Sequence, residues 1–424
     1  MGSFNQAEEY AQIGSNDSHH RRRSWRGRLR QIALPSFLIL FLLFITGHDH
    51  IFRTLTIWPS SACKKPIKLQ FSPSSSTLKI SIFEDLHFGE AESTWWGPEQ
   101  DIRTLQVMSS ILDMESPDLV VLNGDLITGD DTQLDNATEY FDRLVSPMVK
   151  RNIPWASTYG NHDNNFNIST EAVLEKERGY YSLSMTEKMV TGKAEDVGVS
   201  NYFLSLYQIG HEGPVAILWF FDSRGGLAFQ RTEKNGEKIQ LPGTVDPAVT
   251  EWFVRTSRNL KRQHRRESIP SLAFVHIPVS AMLTFQEAGV DKHRQPGIND
   301  DVPLSSQVGD EEFLAALSEA GVQAVFSGHD HGNDWCMPVE KKGGMEGGKT
   351  MFACFGRHTG YGGYGHWMRG SRQVVLSPNG EIETWVRLEN GDVSGHVMLN
   401  ETYGTDEYPA AKKAFTSLGA GEPR

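Results

Sequence analysis

Residues 155–163 read Trp-Ala-Ser-Thr-Tyr-Gly-Asn-His-Asp, a short strand over Trp155–Tyr159 that runs into Gly160-Asn161-His162-Asp163. The same arrangement, an apolar run closed by a polar cluster, recurs on both sides of it. Leu78–Phe83 alternates like a strand and ends at Glu84-Asp85-Leu86-His87. Leu119–Leu122 is a continuous apolar run, as a buried strand should be, and ends at Asn123-Gly124-Asp125. Leu272–Val275 ends at His276, and Ala324–Ser327 ends at Gly328-His329-Asp330-His331. Helical periods lie between them, over Asp101–Met114 and Glu139–Val149, and on the face Val249, Trp252, Phe253, Leu260. The basic run Lys261, Arg262, Arg265 and Arg266 closes that last helix and reads as a solvated turn complementing the helix dipole. Tyr202–Tyr207, Val215–Phe221, Val374–Leu376 and Ile382–Leu388 complete the expected strands. Strands alternating with helices predict an α/β fold, and in such folds ligands bind at the C-terminal edge of the sheet.

Composition narrows the function classes. The 424 residues carry 41 Lys and Arg against 53 Asp and Glu, a net charge of −12. That balance argues against a general nucleic-acid binder, which needs a basic face. It leaves an anionic substrate open, because bound cations reverse the local field. Three cysteines exclude a disulfide scaffold and a four-thiolate zinc site.

The ends differ from the middle. Residues 1–31 hold six arginines, from Arg21 to Arg30, directly before the apolar run Ile32–Ile45. A basic flank before an apolar segment (32–46) reads as a signal-anchor, with a cleaved signal peptide as the alternative. The anchor reading makes residues 1–31 a cytosolic tail and the protein a single-pass membrane protein with a lumenal or extracellular body. Cleavage would leave it secreted or vacuolar. Residues 47–76 are rich in Ser and Pro and read as a stem, 77–400 as the catalytic domain, and 401–424 as a polar tail. Sequons at Asn136, Asn167 and Asn400 fit that orientation.

Five polar clusters at five strand ends carry Asp, His and Asn, the ligand types suited to Mn, Fe or Zn and poorly suited to Ca. Asp85 and His87 are two apart, so an extended backbone would point both the same way. A carboxylate can bridge two cations, and two cations ~3.5–4 Å apart can clamp a phosphoryl group and activate a water.

At these residues the sequence resembles the calcineurin-like metallophosphoesterase superfamily over most of residues 77–400. The resemblance implies a four-layer α-β-β-α sandwich with a dinuclear site. It implies that Asp85, His87, Asp125 and His331 hold one ion, and that Asp125 as bridge, with Asn161, His276 and His329, holds the other. His162 becomes the catalytic imidazole that contacts phosphate and protonates the leaving oxygen. Thr128 stands where purple acid phosphatases carry a Tyr ligand, and His87 stands where they carry Gly. The stretches Asp85-Leu-His-Phe-Gly-Glu, Trp96-Gly-Pro and Gly328-His-Asp-His-Gly-Asn-Asp-Trp-Cys look more like the fungal and plant Dcr2-like phosphatases, also called probable inactive purple acid phosphatases.

The expected activity is hydrolysis of phosphoric monoesters, on a small molecule or a phosphoprotein, by a hydroxide activated by two metals (Mn, Fe or Zn). The alternatives are a phosphodiesterase or nucleotidase on the same site, and a non-catalytic scaffold of the same fold. No nucleic-acid partner is expected, and membrane contact is expected only through the N-terminal apolar segment. The Gly-rich stretch Gly356–Gly365 reads as a flexible loop bringing Arg357 or His358 to the phosphate. Trp95 and Trp96 are candidates for the cleft wall, and Asp130 and Asp131 read as a solvated turn. Cys336 and Cys354 are expected to form a disulfide, since the inferred compartment is oxidising.

Overall fold

The structure, a computed structural model, describes residues 68–339 and 350–416. The basic tail, the apolar segment and most of the stem lie outside the described residues. In chain order the first half holds β1 (Leu78–Phe83), α1 (Trp96–Glu115), β2 (Leu119–Asn123), α2 (Glu139–Arg151), β3 (Trp155–Thr158), α3 (Thr170–Arg178) and the short α4 (Ala194–Val197). Then come β4 (Tyr202–Leu206), β5 (Ala216–Phe221), a hairpin of β6 (Leu227–Thr232) and β7 (Lys238–Gln240), α5 (Pro247–Gln263), β8 (Ser271–Val275) and α6 (Ser280–Ala288). The last elements are α7 (Glu311–Ala320), β9 (Val322–Ser327), β10 (Cys336–Val339), β11 (Met351–Phe355), β12 (Gly370–Leu376), β13 (Ile382–Leu388) and β14 (Val393–Met398).

Two six-stranded sheets result, ordered β14-β13-β12-β1-β2-β3 and β10-β11-β9-β8-β5-β4. Side-chain alternation makes them a sandwich. In β5 every residue is buried: Ala216, Leu218 and Phe220 join Ile80, Ile82 and Val121 of the other sheet in an inner core. Ile217, Trp219 and Phe221 point the opposite way, onto Phe253 of α5 and Phe313 of α7. On the first sheet, Val120 and Leu122 face Met108 and Ile111 of α1 and Phe141 and Leu144 of α2. Three apolar layers therefore separate helix, sheet, sheet and helix, the expected four-layer architecture.

One row of side chains crosses the whole second sheet on its inner face. Tyr202, Phe220, Phe274 and Phe326 are register partners on β4, β5, β8 and β9. Their rings stack at 4.5, 5.1 and 5.6 Å. The row continues through Cys354 on β11 to Cys336 on the edge strand β10. Those two cysteines are disulfide-bonded, so a covalent link closes the row at the last strand of this sheet among the described residues.

The packed body is longer than the sequence reading allows. Leu69 and Phe71, assigned to the stem, are buried in the inner core, and Gln70 bridges Tyr207. At the other end Tyr403 is buried and its hydroxyl donates to the Cys336 carbonyl, while Phe415 bridges Trp367. Two apolar residues spaced for a strand were hidden by the Ser and Pro around them.

Strands β1, β2 and β3 run parallel in one sheet, as do β5, β8, β9 and β11 in the other. The C-terminal ends of β1, β2, β3, β8 and β9 carry the five polar clusters. Among the described residues no helix is long and apolar enough to cross a membrane.

The disulfide yields a direct expectation. Non-reducing mass mapping should find Cys336 and Cys354 in one cross-linked peptide pair. Their sequence separation of 18 makes removal of the bond cost about 3 kcal/mol of stability in chain-entropy terms. Alkylation of both thiols without reductant would rule the bridge out.

Candidate metal centre

The strand ends do not run on extended into the site. Asp85, His87, Asp125 and His329 have φ of 54°, 50°, 50° and 76°. Left-handed backbone at non-glycine residues costs on the order of 1–3 kcal/mol each, and it persists only where surroundings enforce it. Here the loops enforce it on one another. The Asp125 carbonyl accepts from the Leu86 and His87 amides at 2.8 and 3.0 Å. The Asp125 carboxylate accepts from the His162 amide at 2.8 Å, and the Asp85 carboxylate from the His329 amide at 3.0 Å. Asp85 and His87 converge because each turns back at its own Cα, not because an extended strand aims both one way.

Two groups of donors form. Ligand-type atoms of Asp85, His87 and His331 lie within 4.8 Å of one another, and so do those of Asp125, His276 and His329. Asp125 joins the groups: its Oδ2 lies 2.9 Å from His276 Nε2 and 3.9 Å from His87 Nε2. Asp85 Oδ1 lies 3.6 Å from His331 Nε2 and 3.9 Å from His276 Nε2.

The imidazoles are oriented from behind. His276 Nδ1 bonds the Asn123 carbonyl, and His331 Nδ1 the Tyr364 carbonyl, each at 2.9 Å. Both nitrogens must donate, so each Nε2 is the atom that faces the site. His87 Nδ1 bonds Thr128 Oγ1 at 2.9 Å, and that hydroxyl donates to Glu90 Oε2 at 3.3 Å. Its one proton is then committed, so His87 Nδ1 donates and Nε2 keeps a lone pair. Thr128 thus orients His87; the two departures from the purple acid phosphatase pattern are partners in one hydrogen bond.

The donor set fits cations. His87 Nε2 and Asn161 Oδ1 are buried without a hydrogen-bond partner, an arrangement that is costly unless another acceptor of lone pairs binds there. Burial, with His162 nearby, lowers the His87 pKa to about 3, and burial with His276 lowers that of His329 to about 4. Both are therefore held in the neutral form that ligates metal. Burial raises Asp85 to about 7; His276 draws it down and Asp125 pushes it up. Gly124 and Gly160 let the backbone close in, since a Cβ there would lie 2.5 Å from His276 Cγ and 2.3 Å from Asp125 Oδ1.

His162 differs from these residues. Its side chain is 36% exposed, against 4% or less for His87, His276 and His331. Its Nδ1 pairs with Asp130 Oδ2 at 2.9 Å, and its ring meets that of His87 at 4.9 Å. Burial alone would lower its pKa, but Asp125 and Asp130 outweigh it and push the value up to about 9. Asp130 is therefore a partner of His162, not the solvated turn the sequence suggested; a surface-like Asp-Asp pair gave no sign of it. In the sequence Asp163 is the last residue of the Gly160-Asn161-His162-Asp163 motif. Fully buried, it accepts from the amides of Leu126, Ile127 and Gly160 and so ties the loop after β2 to the loop after β3.

Arg357 and His358 do not reach open space. Arg357 is buried in an ion pair with Asp334 at 2.7 Å and donates to the Met368 carbonyl. His358 is 2% exposed, with Nε2 on the Gly362 carbonyl and Nδ1 on Arg369. The glycines that suggested a flexible loop instead allow tight packing, and a substrate-binding role for either side chain is set aside. Trp96 is buried and edge-on to Tyr361, whereas Trp95 is 62% exposed.

The chain is similar to several known proteins. A plant protein called probable inactive purple acid phosphatase 29, from Arabidopsis thaliana, is 28% identical over 86% of this chain and 94% of its own length. Phosphatase DCR2 of Saccharomyces cerevisiae is 27% identical over 61% of this chain and 45% of its own. Among solved structures, a dimetal phosphatase from Danio rerio aligns with a TM-score of 0.49 at 13% identity, over 76% of this chain and 98% of that one. The family model for calcineurin-like phosphoesterases matches residues 78–333, a span that contains both donor groups and His162. The chain belongs to the calcineurin-like phosphoesterase family.

Proposed function

We propose that the protein is a metal-dependent phosphatase acting on phosphoric monoesters. One observation carries the reading: a half-open imidazole, His162, is held by Asp130 beside two groups of cation ligands. The relatives named phosphatase support the monoester class. Others carry the label "inactive"; activity here is supported by a donor set in which each ligand position implied by the resemblance is filled.

Two cations bound to Asp85, His87, His331 and to Asp125, Asn161, His276, His329 would supply Lewis acidity and an activated water. The chain's own contribution is positional and protonic. Asp130 fixes the His162 ring through Nδ1, which leaves Nε2 to face the phosphoryl group. With Nδ1 held by the Asp130 carboxylate, His162 would deliver a proton from Nε2 to the leaving oxygen. The reaction is direct attack by water, without a covalent enzyme intermediate.

Asp125→Asn and His331→Ala should abolish turnover of a chromogenic phosphomonoester and reduce bound metal. His162→Ala should keep its metal and slow turnover by ~10²–10⁴, the scale of a lost general acid, and by less for good leaving groups. Equal metal loss in both kinds of variant contradicts the division of roles. Diester hydrolysis outrunning monoester hydrolysis with Mn would make the protein a phosphodiesterase, and no turnover with Mn, Fe or Zn would make it a scaffold.

We also propose that the catalytic body faces the lumen or exterior, tethered through residues 32–46, or released after cleavage there. The Cys336–Cys354 bond supports an oxidising compartment. The three sequons are unequal. The side-chain amides of Asn136 and Asn167, both half-buried, donate to Glu92 and to the Thr132 carbonyl. Asn400 is exposed, and its Oδ1 accepts from Thr402 Oγ1. Endoglycosidase should therefore shift the gel mobility of the expressed protein, and Asn400→Gln should remove most of that shift. An unglycosylated protein in the cytosolic fraction would contradict the orientation.

A further inference from the structure

The Gly356–Gly365 segment packs onto the site from behind. A Cβ at Gly360 would lie 2.2 Å from the Leu86 carbonyl oxygen, one at Gly362 2.6 Å from His87 Cβ, and one at Gly363 2.3 Å from His331 Cε1. Gly363 also has φ +73°, so only glycine fits there without strain. The backbone is fastened as well as close: the Thr359 and Gly360 amides each donate at 3.1 Å, to the Glu84 and Asp85 carbonyls.

Both imidazoles of one donor group are held by this segment. His331 lies between two rings, Tyr364 at 4.0 Å and 11° and His358 at 3.8 Å and 38°. Its Nδ1 donates to the Tyr364 carbonyl, and its amide to the Tyr364 hydroxyl. His358 is locked in turn: Nε2 donates to the Gly362 carbonyl, so Nδ1 accepts from the buried guanidinium of Arg369. Arg369 also donates to the carbonyls of Gly365 and Trp367, closing the loop on itself. His87 is reached by the other branch. Glu90 Oε2 accepts from the Gly363 amide at 2.6 Å and from Thr128, which orients His87 Nδ1. Among the described residues the hydrogen bonds and ring contacts of Gly356–Gly365 reach neither His276 nor His329; the His276 ring is set by the Asn123 carbonyl, and the His329 ring packs edge-on to it at 5.3 Å.

We propose that this loop is the positioning element for one of the two metal positions, that of Asp85, His87 and His331, with His358 and Glu90 as its positioning residues. The two positions then differ in how they are supported, and loading at one can be weakened without loss at the other. The proposal rests on reading the site as a dinuclear metal centre. Partners behind metal ligands typically contribute about 10–100-fold in metal affinity.

The test is calorimetric titration of the full metal-stripped chain with Mn, together with metal content after dialysis, for wild type, His358→Ala and Glu90→Ala. Wild type is expected to take up two Mn per chain. Each variant should retain one Mn at near wild-type affinity and bind the second about 10–100-fold more weakly, and Glu90→Ala, which truncates a partly exposed side chain, should do so with an unchanged melting curve for the stripped protein. A merely structural defect would lower that melting temperature and affect both positions. Glu90, at 27% side-chain exposure, carries the test if His358→Ala does not fold. Equal weakening of both positions, or two unaltered positions in the folded variants, overturns the proposal. Wild type that binds no Mn, Fe or Zn would instead overturn the reading of the site as a metal centre.

Discussion

Asp85 and Asp125 are two carboxylates buried together, each with an oxygen within 4 Å of His276 Nε2. Leaving water costs a buried charge several kcal/mol unless partners restore the lost interactions. The structure supplies imidazoles from both sheets, and cations complete the match. Asp125 also raises the His276 pKa to about 10 against the lowering by burial, so a proton there and a cation compete for the same place. Metal binding at this pair is therefore coupled to proton release.

The rest of the architecture follows from bringing those groups together. Parallel strands in two sheets deliver their C-terminal ends to one region, and the inner core, with its row from Tyr202 to Cys336, fixes how the sheets face each other. Backbone strain at four ligand positions is offset by amide–carboxylate bonds between loops. The carboxylates of the candidate metal centre thus also hold the loops, and Asp163 ties the loops after β2 and β3 in the same way. A fold rigid at its ligands and open at His162 suits a reaction in which positioning and one proton transfer decide the rate.

Much of this was legible in the sequence, for identifiable reasons. Strand-end clusters such as Gly124-Asp125 and Gly328-His329-Asp330-His331 announce themselves because apolar runs stop abruptly at metal-ligand residue types. The four layers were implied by the family resemblance, and the fully apolar β5 is consistent with them, since both its faces need cover. The partners of those residues were not legible. Asp130 contacts His162 across 32 residues, and Thr128 contacts His87 across 41, through loop geometry that has no periodicity. Arg357 and His358 misled because glycine-rich sequence is compatible with flexibility and with close packing alike, and only the contacts of each missing Cβ distinguish the two. The strand-like Leu69 and Phe71 were masked by neighbours typical of linkers.

One buried carboxylate, Asp125, is placed to unite two metal positions into a single centre. Electron paramagnetic resonance of the chain loaded with two equivalents of Mn(II) addresses it most directly. Ions sharing a bridge at ~3.5–4 Å are expected to give the multiline spectrum of an exchange-coupled pair, with little of the six-line signal of isolated Mn. A spectrum of isolated ions at full loading, or no bound Mn, Fe or Zn at all, would contradict the account.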